Sequence, residues 1–332
     1  MKATKPNNSW NIVGHKWATQ TLQQAVESGD MFHAYLLTGP PGVGKTTLAR
    51  TLAAALLCSE EAAPCGVCRT CRLVASGKHS DLHIVESEHI GASLKIEQVR
   101  DLQHQLSLTP IEGRWRVAIL RRFEEATTSA ANALLKTLEE PPSYVVLAVL
   151  TSDADRLLPT IVSRCQQMPM HPLSIDLVQR ALIERWNARP EQAKLLAHLS
   201  GGRLGWAVHT LNDEEVLQTR AKRLKALNQL IDVSIVERFS YAEKMARKPI
   251  ATQETLLLWV SWWRDVMLLA AQADAPLINV DRQDLLREHA RRFRVEQSAA
   301  TIKALRDAAG RLKRNANARL TLEVLMLDLP HS

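Results

Sequence analysis

No stretch of the 332-residue sequence reaches about 18 consecutive apolar residues, the length a helix needs to span a bilayer core. A membrane-spanning helix is therefore not expected. The first ten residues lack the apolar core of a secretion signal, and a cytoplasmic protein is the expectation. There is no internal repeat and no low-complexity linker, so neither a repeat array nor a string of tethered modules is indicated. There is also no basic tail. The net charge of +7 arises from Lys and Arg spread among acids, which permits contact with nucleic acid without requiring it and fits a solvated surface equally well. What is present is ordinary for a globular chain with a real core: 46% hydrophobic and 23% charged residues. A chain of this length is expected to fold as two or three domains.

Short β-rich runs alternate with helical stretches over the first 170 or so residues. Candidate buried strands are Ala34–Thr38, Leu82–Glu86, Val117–Leu120, Tyr144–Thr151 and Cys165–Met170. The segments between them are long enough for helical crossovers, as a parallel sheet requires. Ala131, Leu134, Leu135 and Leu138 share one helical face; Thr127, Thr128 or Ser129 can cap that helix, and Pro141–Pro142 end it. From Ile175 to His209 the pattern is a small helical unit broken at Ser200, Gly201 and Gly202. From Asp213 onward it is wholly helical, with a tryptophan patch at Trp259, Trp262 and Trp263. Tryptophans at helical spacing usually pack internally, although an interface role is open. The expected division is residues 1–172, 173–211 and 212–332.

Gly39, Gly42, Gly44, Lys45 and Thr46 fit G-x-x-x-x-G-K-[ST], followed by Thr47, between an apolar strand and a helical run. Such glycines let backbone N–H groups turn toward phosphates, Lys45 supplies a point charge, and the Thr46 hydroxyl can ligate magnesium. The helix N-terminus adds its partial positive charge. Binding of ATP with magnesium is thus expected.

An ATPase built on this loop needs an acid at the end of a neighbouring strand, usually followed by a glutamate that activates water. Here the candidate strand ending at Leu120 runs into Arg121 and Arg122, then Phe123, Glu124 and Glu125. At about 3.3 Å per residue, the two glutamates lie too far along to ligate metal unless the backbone loops back. A guanidinium beside the metal position would also repel magnesium. Hydrolysis is expected to be absent or weak, and rescue by Glu124 or Glu125 stays open.

Cys58, Cys65, Cys68 and Cys71 are spaced C-x6-C-x2-C-x2-C. Four thiolates this close can surround one tetrahedral zinc, and a site closed by four protein ligands is structural. Free or redox-active thiols are the other reading. Cys165, far along the chain, reads as a small buried apolar residue in the fifth strand.

Together these residues resemble the AAA+ subunits of the bacterial DNA polymerase III clamp loader, over nearly the whole chain. The carriers are Ile12-Val13-Gly14-His15, the strand from His33 into the phosphate loop, the four-cysteine insertion and NALLKTLEEPP from Asn132 to Pro142. Ser163-Arg164-Cys165 and the string from Asn315 to Leu320 complete the match. The resemblance is strongest to delta-prime subunits, because the gamma/tau motor carries Asp-Glu where this chain has Arg121-Arg122. It implies an α/β P-loop AAA+ module with a zinc-binding insertion at 58–71, a small helical lid and an all-α collar. It implies that Arg164 acts in trans as the catalytic arginine on a neighbouring subunit's triphosphate. It further implies that Val13 and Gly14 lie along the adenine, that Arg203 senses nucleotide, and that Thr151 and Ser152 form the first sensor region. The implied partners are gamma/tau- and delta-type subunits in a pentameric ring, a sliding clamp and primed DNA. Two other readings remain open: an ATP-hydrolysing gamma/tau-type motor, and a zinc-containing nucleic-acid binder with a vestigial nucleotide site.

Overall fold

Five strands lie parallel in one sheet: β1 (Ala34–Thr38), β2 (Leu82–Val85), β3 (Arg116–Leu120), β4 (Val145–Thr151) and β5 (Gln166–Pro169). Their order across the sheet is β2-β3-β4-β1-β5, with β1 in the interior between β4 and β5. The structure is a computed structural model and describes residues 10, 12–60, 63–314 and 316–331. Asn315, at the head of the last family-like string, lies outside the described residues. All five expected strands form, with ends shifted by a residue or two. Cys165, expected inside the fifth strand, stands just before it and is buried.

Strand residues alternate between two apolar layers, which is why each run is hydrophobic throughout. Tyr35, Leu37, Val117, Ile119, Val146 and Ala148 face one core; Ala34, Leu36, Ala118, Leu120, Leu147 and Val149 face the other. Helices cover both faces: α1 (Lys16–Ser28), α2 (Lys45–Leu57), α3 (Arg69–Ser76), α4 (Ile96–Ser107), α5 (Thr128–Glu139) and the short α6 (Pro159–Val162). Of the three candidate caps for α5, Thr127 serves: its hydroxyl accepts the Ala130 N–H at 3.2 Å.

Three helices follow: α7 (Ile175–Trp186), α8 (Pro190–Ser200) and α9 (Leu204–Asn212). The chain clusters into two units, one running to Leu177 with Arg203–Trp206 added, the other Val178–Gly202 with the residues from Ala207 onward. The second unit continues through α10 (Glu215–Asp232), α11 (Ile235–Ala246), α12 (Pro249–Ala270), α13 (Gln283–Arg292), α14 (Val295–Lys313) and α15 (Ala318–Asp328). Trp259, Trp262 and Trp263 on α12 are each 0% exposed and pack among Leu227, Leu286, Phe293 and Leu305, so they are core residues. Arg238 on α11 is equally buried. Its guanidinium donates to the carbonyls of Ile231, Met326, Leu329 and Pro330, fastening the final helix. No described helix is long and apolar enough to cross a membrane.

Candidate functional site

β1 delivers its last residue, Thr38, directly into the phosphate loop, and α2 leaves the loop at Lys45. The loop's crowding explains its glycines. Gly39 has φ 137°, and a Cβ there would lie 2.1 Å from the Met170 carbonyl oxygen. Gly42 has φ 84°, with the Trp206 nitrogen 3.1 Å from where its Cβ would be. Gly44, at φ 116°, caps α2 and leaves the first-turn N–H groups open for an anion. Thr46 and Thr47 follow Lys45 in that first turn.

Two further segments meet the loop. The Gly205 N–H donates to the Gly42 carbonyl at 2.7 Å, which sets Arg203–Trp206 against the loop. The Arg203 guanidinium lies 5.7 Å from the Trp206 ring centroid. On the other side, His15 Nε2 donates to the Val43 carbonyl at 3.1 Å and anchors the segment carrying Val13 and Gly14. The sequence-predicted nucleotide residues are thus brought together. His15 itself was seen only as part of a family string, since a histidine carries no mark of which carbonyl it will meet. Lys45 Nζ folds back on its own loop, donating to the carbonyls of Gly39 and Pro40. Burial lowers its pKa to about 8, an effect partly offset by the charge of Glu124.

The two arginines do not stand bare beside this site. Arg121 donates to Glu86 at 3.0 Å, and Arg122 donates to Glu86 at 2.7 Å, to Glu125 at 2.9 Å and to the Ser87 carbonyl. Two guanidinium groups are balanced by two carboxylates, Glu86 just beyond β2 and Glu125 in the turn after β3. Each of the two guanidinium groups is thus ion-paired, so the pair does not present two uncompensated positive charges. The chain also turns back after the strand: Arg122 adopts φ 51°, and Phe123–Glu125 form one 3-10 turn. The extended-chain distance that set Glu124 aside does not apply. Glu125 joins the arginine network, while Glu124 turns to Ser152, accepting its N–H at 3.1 Å and its hydroxyl as well.

The four cysteines converge, with their sulfurs all within 4.8 Å of one another. The Cys58–Cys68 and Cys65–Cys71 separations are each 3.9 Å. A tetrahedron with Zn–S bonds of about 2.3 Å has S···S edges of roughly 3.8 Å, so the set fits zinc. Backbone N–H groups of Cys68 and Cys71 point at the sulfurs of Cys65 and Cys68, the arrangement that favours thiolate. Such donors hold Cys65 at about 7, while burial pushes Cys71 upward.

Arg164 lies at the N-terminal end of the parallel strands, the end opposite the phosphate loop. It precedes β5, whose far end pairs Pro169 with Thr38 at the loop's base. Its guanidinium donates to the Thr160 carbonyl at 3.0 Å and forms an ion pair with Glu139 at 2.8 Å.

Two family models match this chain: "DNA polymerase III, delta subunit" over residues 14–174, and the C-terminal model of the same description over 214–331. The delta-prime subunit of Bacillus subtilis DNA polymerase III is 32% identical over 316 residues, covering 93% of this chain and 94% of that one. The Pseudomonas aeruginosa delta-prime subunit is 39% identical over 229 residues, 67% of this chain and 68% of its own. The Escherichia coli tau subunit is 34% identical over 219 residues, but this chain spans only 33% of its length. With a phosphate loop on a β2-β3-β4-β1-β5 sheet, a four-cysteine cluster and an end-to-end relative at this identity, the chain belongs to the delta-prime family of bacterial DNA polymerase III clamp-loader subunits.

Proposed function

We propose that this chain binds ATP without turning it over appreciably and lends Arg164 to the ATP of a neighbouring clamp-loader subunit. In this reading it sits in the cytoplasm within a pentameric ring of gamma/tau- and delta-type subunits that opens a sliding clamp on primed DNA. Residues 173–211 act as its helical lid and 212–332 as its collar. The observation that carries the proposal is the position of Arg164. Because β5 runs parallel to β1, Arg164 lies about five residues, on the order of 16 Å, from the chain's own loop edge. A guanidinium there serves another subunit's phosphates more readily than its own. Supplied in trans, it stabilises charge on the transferring phosphoryl group, an effect worth about 10³–10⁵ in rate at the site it reaches.

When bound, magnesium would neutralise phosphate charge and would be held through Thr46, while Lys45 and the loop N–H groups hold the phosphates. The residues fit this load: a glycine N-cap starts α2, and the Lys45 ammonium donates to the loop carbonyls of Gly39 and Pro40. Zinc would be held by Cys58, Cys65, Cys68 and Cys71 as a structural ion. The hydrolysing-motor alternative needs two carboxylates at the strand end. Positions 121 and 122 supply none, and Glu86 and Glu125 are engaged by the arginines.

Reconstitution with hydrolysing subunits tests the reading. The isolated chain is expected to release no more phosphate than its Lys45→Ala form. Arg164→Ala is expected to assemble normally while one site of the ring falls silent, lowering total turnover without abolishing it. Unchanged turnover would remove the role of Arg164.

A further inference from the structure

This inference rests on the reading of the loop as a nucleotide site and concerns which carboxylate completes it. The 3-10 turn after Arg122 sends its two glutamates to different places. Glu125 accepts from Arg122 and from the Gly91 N–H. Glu124 goes to the end of β4, where its Oε1 accepts both the backbone N–H and the hydroxyl of Ser152. Ser152 directly follows Thr151, and Thr151 is in register with Thr38, the last residue before the phosphate loop. The backbone to which this carboxylate is bonded therefore runs one strand spacing, about 4.8 Å, from the strand that leads into the loop. Its Oε2 is buried and has no hydrogen-bond partner, and its charge acts on Lys45. A buried carboxylate oxygen left without a donor carries a desolvation cost that a cation can relieve.

We propose that Glu124 is the magnesium-facing carboxylate of this nucleotide site, standing in for the strand-end acid whose position Arg121 occupies. The Ser152 donors fix one oxygen and aim the other. With Glu86 and Glu125 held by Arg121 and Arg122, no second carboxylate among these residues is left to activate water. One acid in place of two accounts for a site that holds magnesium and nucleotide but does not turn over.

The test is ATP affinity of the full chain by titration calorimetry, in magnesium and in EDTA. The wild-type chain is expected to gain about tenfold or more from magnesium, the scale of one close charge contact in a partly dry site. Glu124→Gln keeps an acceptor for Ser152, so it is expected still to bind ATP in EDTA while the magnesium gain disappears. Ser152→Ala, which leaves the carboxylate but frees it, is expected to show a reduced gain, and it reads the same quantity if Glu124→Gln does not fold. A full magnesium gain in either variant overturns the assignment and leaves nucleotide binding standing. Failure of the wild-type chain to bind ATP in either condition overturns both.

Discussion

Lys45 is the group in the loop whose protonation matters near neutral pH, because burial has brought it down to about 8 from the ordinary 10.5. Phosphate binding requires the ammonium, so above that value the empty chain must take up a proton to bind nucleotide. ATP affinity is therefore expected to be flat with respect to Lys45 below pH 7. It should fall above pH 8, with log K approaching a slope of about −1 per pH unit. Stability runs the other way over that window. The unfolded chain holds the Lys45 proton up to about 10.5 and the folded chain does not, so this group's contribution rises with pH between 8 and 10.5. Calorimetric titrations at pH 7, 8 and 9 check the binding slope; an affinity unaffected by pH would show that Lys45 stays charged. At this scale the sequence named the chemistry and misjudged its surroundings. Arg121 and Arg122 are legible as the absence of acids, but their neutralisation depends on Glu86, 35 residues upstream of Arg121 and brought alongside only by the pairing of β2 with β3.

Among the elements, the four-cysteine segment and α3 form one cooperative piece. Cys68 caps α3 and Cys71 sits in its first turn, so the same residues that are placed to hold a metal also start the helix. A segment with few buried apolar side chains of its own depends on chelation to stay folded. Cys71→Ser is expected to drop bound zinc from about one equivalent to a small fraction, and to raise amide exchange across residues 63–76. Metal analysis and hydrogen-exchange mass spectrometry check this; retained protection in a zinc-free chain would count against it. The spacing made this cluster readable in advance, and the i, i+3, i+4, i+7 face of α5 was equally readable, although three residues remained open as its cap. The 3-10 turn at Phe123–Glu125 was not readable. Nothing in Arg-Arg-Phe-Glu-Glu announces that Arg122 will take a left-handed conformation, since β3, Phe123 packing and the start of α5 jointly impose it.

For the whole molecule, three apolar clusters carry the described fold, one on each face of the sheet and one around the tryptophans of α12. Trp263 is fully buried against Phe293 and His289, with ring centroids 5.1 and 6.2 Å away. Truncating it to alanine leaves a large void and is expected to cost about 3–5 kcal/mol. The loss should appear in the melting of the helical unit while ATP affinity at the loop stays unchanged. Differential scanning calorimetry beside a binding titration separates the two outcomes, and a coincident loss of binding would show the units to be energetically coupled.

Local order along the chain was enough to indicate the strands, the helical stretches, the phosphate loop and the four-cysteine cluster. Each depends on residues within a few positions of one another, where spacing, glycine and capping speak directly. Tertiary structure alone decided which charges meet. Arg238 finds the carbonyl of Ile231 and three near the C-terminus, Arg121 and Arg122 find Glu86, and Glu124 finds Ser152. Long polar side chains take partners by proximity in space, and that proximity is fixed only once the parallel strands and helices have packed.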